Sequence, residues 1–171
     1  TDYLSTILPA LVVLKSSIVS NEDIEKCKEI ILLAISEYPE HKNSVLPNYL
    51  LGVVNQKLNN HIEAKNYFKN VYELEPNIFE NQIAYAKTLR SCDLFSEAES
   101  VLKTIGVEFQ NNVEVLKENA YLSFQQNKID LAETYVARVL QINPGDLDFV
   151  LFRAKILIEK KDYIHAVSLL D

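Results

Sequence analysis

The feature that most constrains the fold is a set of small residues that recurs every 34 positions. Two phases of this period are occupied, one by Ala64, Ala98, Ala132 and Ala166 and the other by Gly52, Ala86, Ala120 and Ala154. A small side chain in the middle of a helix lets a second helix approach closely, while larger apolar neighbours fill the space beside the crossing. The period therefore predicts repeated helical units that bury their apolar faces against one another.

Each period reads as two helices joined by a short polar turn. The predicted turns are Asn59-Asn60, Ser91–Asp93, Gln126-Asn127 and Lys161-Asp162. Large apolar residues near the small ones are expected to pack at the helix crossings; they include Leu51, Phe68, Leu102 and Val136. The repeating unit is thus a helical hairpin.

Helix ends can be placed from prolines and capping residues. The residue before a proline is disfavoured in a helix, so the second helices should end before Pro39, Pro76 and Pro144. Two capping boxes predict the starts of first helices, and they are formed by Asn77 with Glu80 and by Asn111 with Glu114.

The composition agrees with an all-α chain and disfavours several functions. Three Gly in 171 residues are too few for Gly-rich phosphate loops, and 17 basic against 24 acidic residues, a net charge of −7, disfavour nucleic acid as the partner. The longest apolar runs are far shorter than the roughly 20 residues that span a bilayer. We expect no nucleic-acid partner and no membrane insertion by this segment.

Residue types that carry chemistry are scattered along the chain. The three histidines, His41, His61 and His165, lack the spacing of a helical metal site, and neither Cys27 nor Cys92 has a ligand neighbour. We expect two free thiols, no metal, no cofactor and no catalysis within this segment.

The clearest copy of the repeat runs from Asn48 to Asn77. With Leu51-Gly52, Ala64, Phe68 and Pro76 at their spacing, it resembles the tetratricopeptide repeat. The resemblance covers nearly the whole chain as a single array of about five repeats, the last cut short: 8–41, 45–78, 79–112, 113–146 and 147–171.

The resemblance implies an α-solenoid of antiparallel helical hairpins, stacked as a superhelix whose concave face is lined mainly by first helices. In the first repeat, however, Lys15 stands where a small residue is expected. Such arrays act as non-catalytic scaffolds that bind a protein or peptide. The alternative of another class is a regulatory domain attached to an enzyme elsewhere in a longer protein.

First-helix residues that the repeat geometry would aim into the concavity form the candidate binding surface, which we name the first-helix strip. It consists of Leu46, Tyr49, Val53, Ile83, Lys87, Arg90, Lys117, Tyr121, Phe124, Leu151, Lys155 and Ile158. Its basic residues would form a positive stripe, so we predict a partner with apolar anchors and at least one carboxylate. The alternative is that Tyr121 and Phe124 pack between neighbouring first helices and that the lysines form a solvated face.

A weaker resemblance concerns the compartment. The stretches 46–77 and 98–102 are similar to the tetratricopeptide lipoproteins of bacterial exosortase and exopolysaccharide (PEP-CTERM) systems. That family would imply an envelope location and a role in surface-polymer or sorted-protein assembly; a cytoplasmic location is the alternative.

Because the chain begins at Thr1, contains no Met and ends at Asp171 within a helical pattern, we expect a fragment of a longer protein. Its C-terminal end should expose apolar surface that would allow self-association.

Overall fold

The computed structural model describes residues 2–16 and 19–169. Over these residues it contains ten α-helices and two short 3-10 helices, Pro39–His41 and Val107–Phe109, with no β-strand. The α-helices are α1 (Tyr3–Leu14), α2 (Asn21–Glu37), α3 (Val45–Lys57), α4 (His61–Leu74), α5 (Phe79–Ser91), α6 (Phe95–Thr104), α7 (Val113–Gln125), α8 (Ile129–Ile142), α9 (Leu147–Glu159) and α10 (Tyr163–Ser168). The predicted all-α class is confirmed.

The chain divides into two compact units, Thr1–Asp93 and Leu94–Asp171, which we name unit 1 and unit 2. In unit 1, α1 packs on α2 and α3 packs on α4; in unit 2, α7 packs on α8 and α9 packs on α10. The second helix of a pair also packs on the following first helix, as α2 does on α3, α4 on α5, α6 on α7 and α8 on α9. Consecutive helical pairs therefore stack within each unit, as in helical repeat proteins.

Helix starts coincide with the predicted repeat boundaries from the second repeat onward. The first helices α3, α5, α7 and α9 begin at residues 45, 79, 113 and 147, and each second helix begins 16 residues later, at 61, 95, 129 and 163. That the array is continuous over all 171 residues stays a prediction. Residues 170 and 171 of the predicted last repeat lie outside the described residues.

Each of the four predicted turns contains one residue in the left-handed conformation. Asn59, Asp93, Asn127 and Lys161 have φ between 59° and 62°. At the end of α3, the amide of Asn60 donates to the carbonyl of Asn55 over 2.8 Å and that of Asn59 to Gln56 over 3.0 Å, which is a Schellman motif. Asn and Asp adopt this conformation at lower cost than other non-Gly residues, so most turns need no glycine.

Prolines end the second helices as predicted. α2, α4 and α8 stop two residues before Pro39, Pro76 and Pro144. The intervening residues, Tyr38, Glu75 and Asn143, have ψ values of 69°, 72° and 84°, outside the α-helical region that a following proline disfavours. α6 has no such proline and ends earlier, at Thr104.

Both predicted capping boxes are wrong, because each helix begins one residue later than the box requires. The N-cap of α5 is Ile78, which has no capping group, and the N-cap of α7 is Asn112, whose side chain accepts from the amide of Glu114 over 2.9 Å. Asn111 instead accepts a hydrogen bond from the guanidinium of Arg138.

The small residues of both phases are buried, as the repeat predicted. All eight are buried inside their units, and Cys27 is buried as well. At Gly52 a Cβ atom would lie 2.8 Å from two ring carbons of Phe68. Only a residue without a side chain lets α3 and α4 meet at this distance, so the glycine is a packing requirement.

The expectation that Lys15 occupies a small-residue position is wrong. Ala10 takes that position: it is fully buried, it is the eighth residue of α1 as Gly52 is of α3, and the Cys27 thiol donates to its carbonyl over 3.8 Å. Lys15 is the exposed C-cap of α1. The connection from α1 to α2 covers 15–20, longer than the three-residue turns, and this shifts α1 toward the N-terminus.

Candidate functional site

An apolar groove lies between α1 and α3 in unit 1, and we name it the α1–α3 groove. It has a volume of about 350 Å³. Leu11, Leu14 and Lys15 line it from α1, and Leu46, Tyr49 and Val53 line it from α3. The structure thus brings together all three members of the first-helix strip that α3 contributes. The α1 side was missed at the sequence level, although Ala10 at the eighth helical position could have set its register.

Packing beneath the groove holds its α3 wall in place. The ring of Tyr49 meets Phe68 edge-on at a centroid distance of 5.6 Å, and Leu50 and Leu51 belong to the same buried cluster as the core residues of α1 and α2. Tyr49 and Val53 are themselves half-buried. Rigid apolar walls of this kind bind side chains without a large ordering cost in the protein.

Lys15 is the one charged residue among those that line the groove. Neither α1 nor α3 contains an Asp or Glu, and their basic residues are Lys15, at the end of α1, and Lys57, in the last turn of α3. Lys15 is exposed and lines the groove. The charge that lines the groove is therefore opposite in sign to the net charge of −7 of the whole chain.

The three strip residues of α5 differ in how far they are buried. Ile83 is buried in unit 1, so its side chain belongs to the interior. Lys87 and Arg90 are half-buried and engaged in interactions within the protein. Thr88 accepts a hydrogen bond from Gln56 over 2.8 Å, which ties α5 to α3.

In unit 2 the predicted cation Lys117 is already paired. Its ammonium lies 2.7 Å from Asp146 and 5.0 Å from the centroid of the Phe149 ring. The hydrogen bond to Asp146 raises the pKa of Lys117, and the same bond lowers the pKa of the Asp146 carboxyl. Lys117 therefore offers little free charge to an external carboxylate, and the positive stripe is weaker than predicted.

Four aromatic residues pack together between α7 and α9. Tyr121 lies 5.3 Å from Phe149 and 4.9 Å from Phe152, and Phe124 lies 5.3 Å from Phe152. Lys155 sits 5.0 Å above the Phe124 ring. Tyr121 and Phe124 thus pack between neighbouring first helices, the alternative left open above. Phe149 and Phe152 were missed, because they lie on α9 positions that the strip did not include.

The outer face of α9 stays open. Leu151 is 56% exposed, Ile158 is 51% exposed and Lys155 is also exposed. These three strip residues follow one another at spacings of four and three, so they lie along one side of the helix.

Residues 47–78, which span most of α3 and all of α4, match the family model of the tetratricopeptide repeat. The chain carries a tetratricopeptide repeat. The match coincides with the repeat predicted at 45–78 and includes Tyr49 and Val53, two residues of the α1–α3 groove.

Solved structures of similar fold cover nearly the whole length of the chain. MamA from residue 41 onward, of Desulfovibrio magneticus RS-1, is 14% identical with a TM-score of 0.80, over 99% of this chain and 92% of that one. PilF of Pseudomonas aeruginosa is 18% identical with a TM-score of 0.74, over 98% and 72%. YrrB, described as a tetratricopeptide protein with an unusual peptide-binding site, is 17% identical with a TM-score of 0.70, over 99% and 84%.

At these identities the likeness shows the fold, and the fold is the predicted tetratricopeptide-type array of helical hairpins. A comparison with curated proteins found no match. Tetratricopeptide proteins are scaffolds for protein interactions, and the coarse functional prediction agrees with this fold.

The reactive side chains of this tetratricopeptide fold are in unreactive settings. Cys27 and Cys92 are free thiols, and burial raises the pKa of both, which disfavours the nucleophilic thiolate.

Over the described part of the chain, no group of three or more His, Cys, Asp or Glu residues could hold a metal ion. No helix in residues 2–16 or 19–169 is long and apolar enough to cross a membrane.

Proposed function

We propose that this tetratricopeptide chain is a non-catalytic scaffold that holds a peptide segment of a partner protein in the α1–α3 groove. The observation that carries the proposal is the groove itself: about 350 Å³ between two successive first helices, with aliphatic and aromatic walls and one lysine at its edge. This volume lies at the lower end of the roughly 300–1,000 Å³ that is typical of ligand-binding clefts, which are likewise lined mainly by apolar side chains.

The partner segment should carry apolar anchors and a carboxylate. Each fully buried Leu- or Phe-sized side chain contributes about 1.5–3 kcal/mol, whereas an exposed ion pair with Lys15 contributes about 1 kcal/mol or less. Association itself costs at least ~4 kcal/mol. The anchors therefore supply the affinity, and Lys15 favours one orientation of the peptide.

In this proposal, unit 2 contributes less to partner binding than the α1–α3 groove of unit 1. Lys117 is paired and Tyr121 and Phe124 are packed, so the first-helix strip of this unit offers mainly Leu151, Lys155 and Ile158 on the open face of α9. These residues, together with Lys87 and Arg90 of unit 1, are proposed as secondary contacts.

A random peptide library provides the test. Peptides selected on the immobilised 171-residue chain should share two apolar positions and an acidic residue. Isothermal titration calorimetry then compares the chain with Val53→Glu, which puts a charge into the groove wall, and with Lys15→Glu. We expect at least a tenfold loss of affinity for Val53→Glu and a loss of a few-fold for Lys15→Glu.

Lys57→Glu is the matched control for Lys15→Glu. Both lysines lie at the C-terminal end of a first helix, but Lys57 does not line the groove. Circular dichroism melts identify any variant that is misfolded. Failure to select any peptide, or selected peptides that bind Val53→Glu and the unsubstituted chain equally, would contradict the proposal.

The envelope role implied by the exosortase-linked lipoproteins stays a prediction, since no observation in the structure favours it. The open reading frame upstream of Thr1 tests it: a signal sequence with a lipid-modified Cys would favour the envelope. A catalytic domain in the same reading frame would favour the regulatory alternative.

A further inference from the structure

A polar cleft in unit 2 is bounded by α6, α7 and α8, and we name it the α6–α8 cleft. It has a volume of about 250 Å³. Its lining includes six polar residues: Glu99, Asn119, Ser123, Gln126, Lys128 and Tyr135. Because α5 precedes these three helices and α9 follows them, the cleft does not lie at either end of the chain. It shares no residue with the α1–α3 groove, so it is separate from the surface that the proposed function uses.

The equivalent positions of unit 1 are filled by apolar side chains. α3 and α7 begin at residues 45 and 113, so Asn119 stands where α3 has Leu51, and Gln126 follows α7 as Leu58 follows α3. Leu51 is buried, and Leu58 packs against the core of unit 1. In unit 2, two amide side chains replace these leucines, and both border the cleft. The cleft is therefore a feature of particular residues of unit 2 and not of every helical pair.

A buried hydroxyl group borders the cleft. Ser123 is only 6% exposed, and its short side chain is part of the lining. Serines within helices often donate to the carbonyl four residues earlier, as Ser100 does to Ser96 over 2.9 Å. No residue in the described ranges, 2–16 and 19–169, is a hydrogen-bond partner of the Ser123 hydroxyl. Buried polar groups are almost always hydrogen-bonded, so this hydroxyl is available to a group that enters the cleft.

Two further donors lie on one side of α8. The Lys128 ammonium is 3.7 Å from the Glu99 carboxylate, which is within ion-pair range but beyond hydrogen-bonding distance. Tyr135 follows Lys128 by seven residues, or two helical turns, and its ring is half-buried. The charged residues of the lining are Lys103, Lys128 and Glu99, which sum to a net charge of +1. The cleft therefore combines donor groups with a single excess positive charge.

We propose that the α6–α8 cleft binds a carboxylate on a short aliphatic stem, such as a glutamate side chain. The hydroxyls of Ser123 and Tyr135 and the ammonium of Lys128 donate to the carboxylate oxygens, which only accept hydrogen bonds. Leu131, also in the lining, contacts the stem. One negative charge balances the net charge of the lining, whereas a phosphate group carries nearly two and would meet Glu99. The volume is below the range of drug-sized ligands and suits one such group.

Amide chemical shifts of the isotopically labelled 171-residue chain provide the test, in titrations at constant ionic strength. The probes are N-acetylglutamate amide, which represents a side chain of a polypeptide, and glutarate, which represents a free acid. At least one should cause saturable shifts at Asn119, Ser123 and Lys128, and the tighter of the two identifies the source of the carboxylate. N-acetylglutamine amide, which lacks the charge, should bind at least tenfold more weakly than N-acetylglutamate amide.

Three results would overturn the proposal. They are equal binding of the glutamine and glutamate probes, tighter binding of inorganic phosphate than of either carboxylate, and the absence of saturable shifts in the cleft with both carboxylates. The first would show that charge is not recognised, the second that the cleft selects another anion, and the third that the cleft is not a carboxylate site.

Substitutions then test the named contacts. Ser123→Ala should raise the dissociation constant of the tighter carboxylate probe about fivefold or more, because it removes one donor. Ser100→Ala is the matched control, since Ser100 also lies on a helix of unit 2 but does not line the cleft, and it should bind as the unsubstituted chain does. Asn119→Leu introduces the residue of α3 and should abolish binding by filling the cleft. If Ser123→Ala binds the probe unchanged, the proposal is wrong, whether or not Asn119→Leu folds.

One variant separates this proposal from the proposed function. Val53→Glu alters the α1–α3 groove and no residue of the cleft, so it should keep its affinity for the carboxylate probe. If Val53→Glu loses that affinity, the carboxylate binds in the groove and the proposal for the cleft is wrong. Failure to select any peptide on the groove, with the probe still bound by the cleft, would contradict the proposed function alone.

Discussion

Gly52→Ala tests the close approach of α3 and α4 with a single methyl group. At an exposed helical position this change usually stabilises a protein by about 1 kcal/mol, because alanine is the better helix former. At Gly52 the new methyl carbon would lie 2.8 Å from Cε2 and Cζ of Phe68 and 3.0 Å from Cδ2. Favourable carbon contacts need roughly 3.5–4.0 Å, so ring and helix must separate.

Phe68 is fully buried, so its ring cannot relieve the contact by turning toward solvent without displacing neighbouring side chains. We therefore take an overpacking cost of about 2–3 kcal/mol, the upper part of the usual range, which outweighs the helix-propensity gain. The net prediction is a loss of about 1–2 kcal/mol in the free energy of unfolding, measured by urea denaturation followed by circular dichroism.

Phe68→Leu supplies the internal control. Leucine lacks the Cε and Cζ atoms that the new methyl would strike, so Gly52→Ala should regain its usual stabilising effect in the Phe68→Leu background. The double-mutant cycle should then give a coupling energy of about 2–3 kcal/mol between the two positions. A Gly52→Ala variant that is more stable than the unsubstituted chain would refute the close approach.

Three further predictions test the repeat, the turns and the ion pair. Ala98→Phe and Ala120→Phe should each cost about 1–3 kcal/mol or more in urea denaturation, while Lys103→Phe at an exposed site should cost little; equal tolerance would contradict the repeat alignment. Lys161→Gly should stabilise the chain by up to about 1 kcal/mol in the same assay by relieving its left-handed conformation, and Asn127→Gly should change it less; destabilisation by Lys161→Gly would contradict the turn geometry. Because Lys117 lowers the folded-state pKa of Asp146, Asp146→Asn should cost about 1 kcal/mol at pH 7, and this difference should shrink as the pH falls below about 4; a constant difference down to pH 2 would contradict the ion pair.

The regular part of the fold could be predicted from the sequence because it depends on a few steric requirements. Ala64 and Gly52 mark the helix crossings, Pro76 marks a helix end and Asn59 marks a turn, and each acts through local geometry that recurs with the period. Register follows from these markers, which is why first-helix starts at residues 45, 79, 113 and 147 match the prediction.

The first repeat and the details of the site could not be predicted in the same way. The longer connection before α2 breaks the period, so Ala10 was overlooked and Lys15 was placed wrongly. The pairing of Lys117 with Asp146, and the aromatic packing of Tyr121 on Phe152, depend on contacts between helices of different repeats. Helical periodicity shows which side of a helix a residue lies on, but it does not show which partner reaches it.

Amide chemical-shift mapping is the most direct test of the proposed binding surface. A selected peptide is titrated into the isotopically labelled chain, and the shifts of α1 and α3 are compared with those of α2 and α4. We expect the largest changes at Leu11, Lys15, Tyr49 and Val53. Changes concentrated on α2 and α4, with the residues of the α1–α3 groove unaffected, would contradict it.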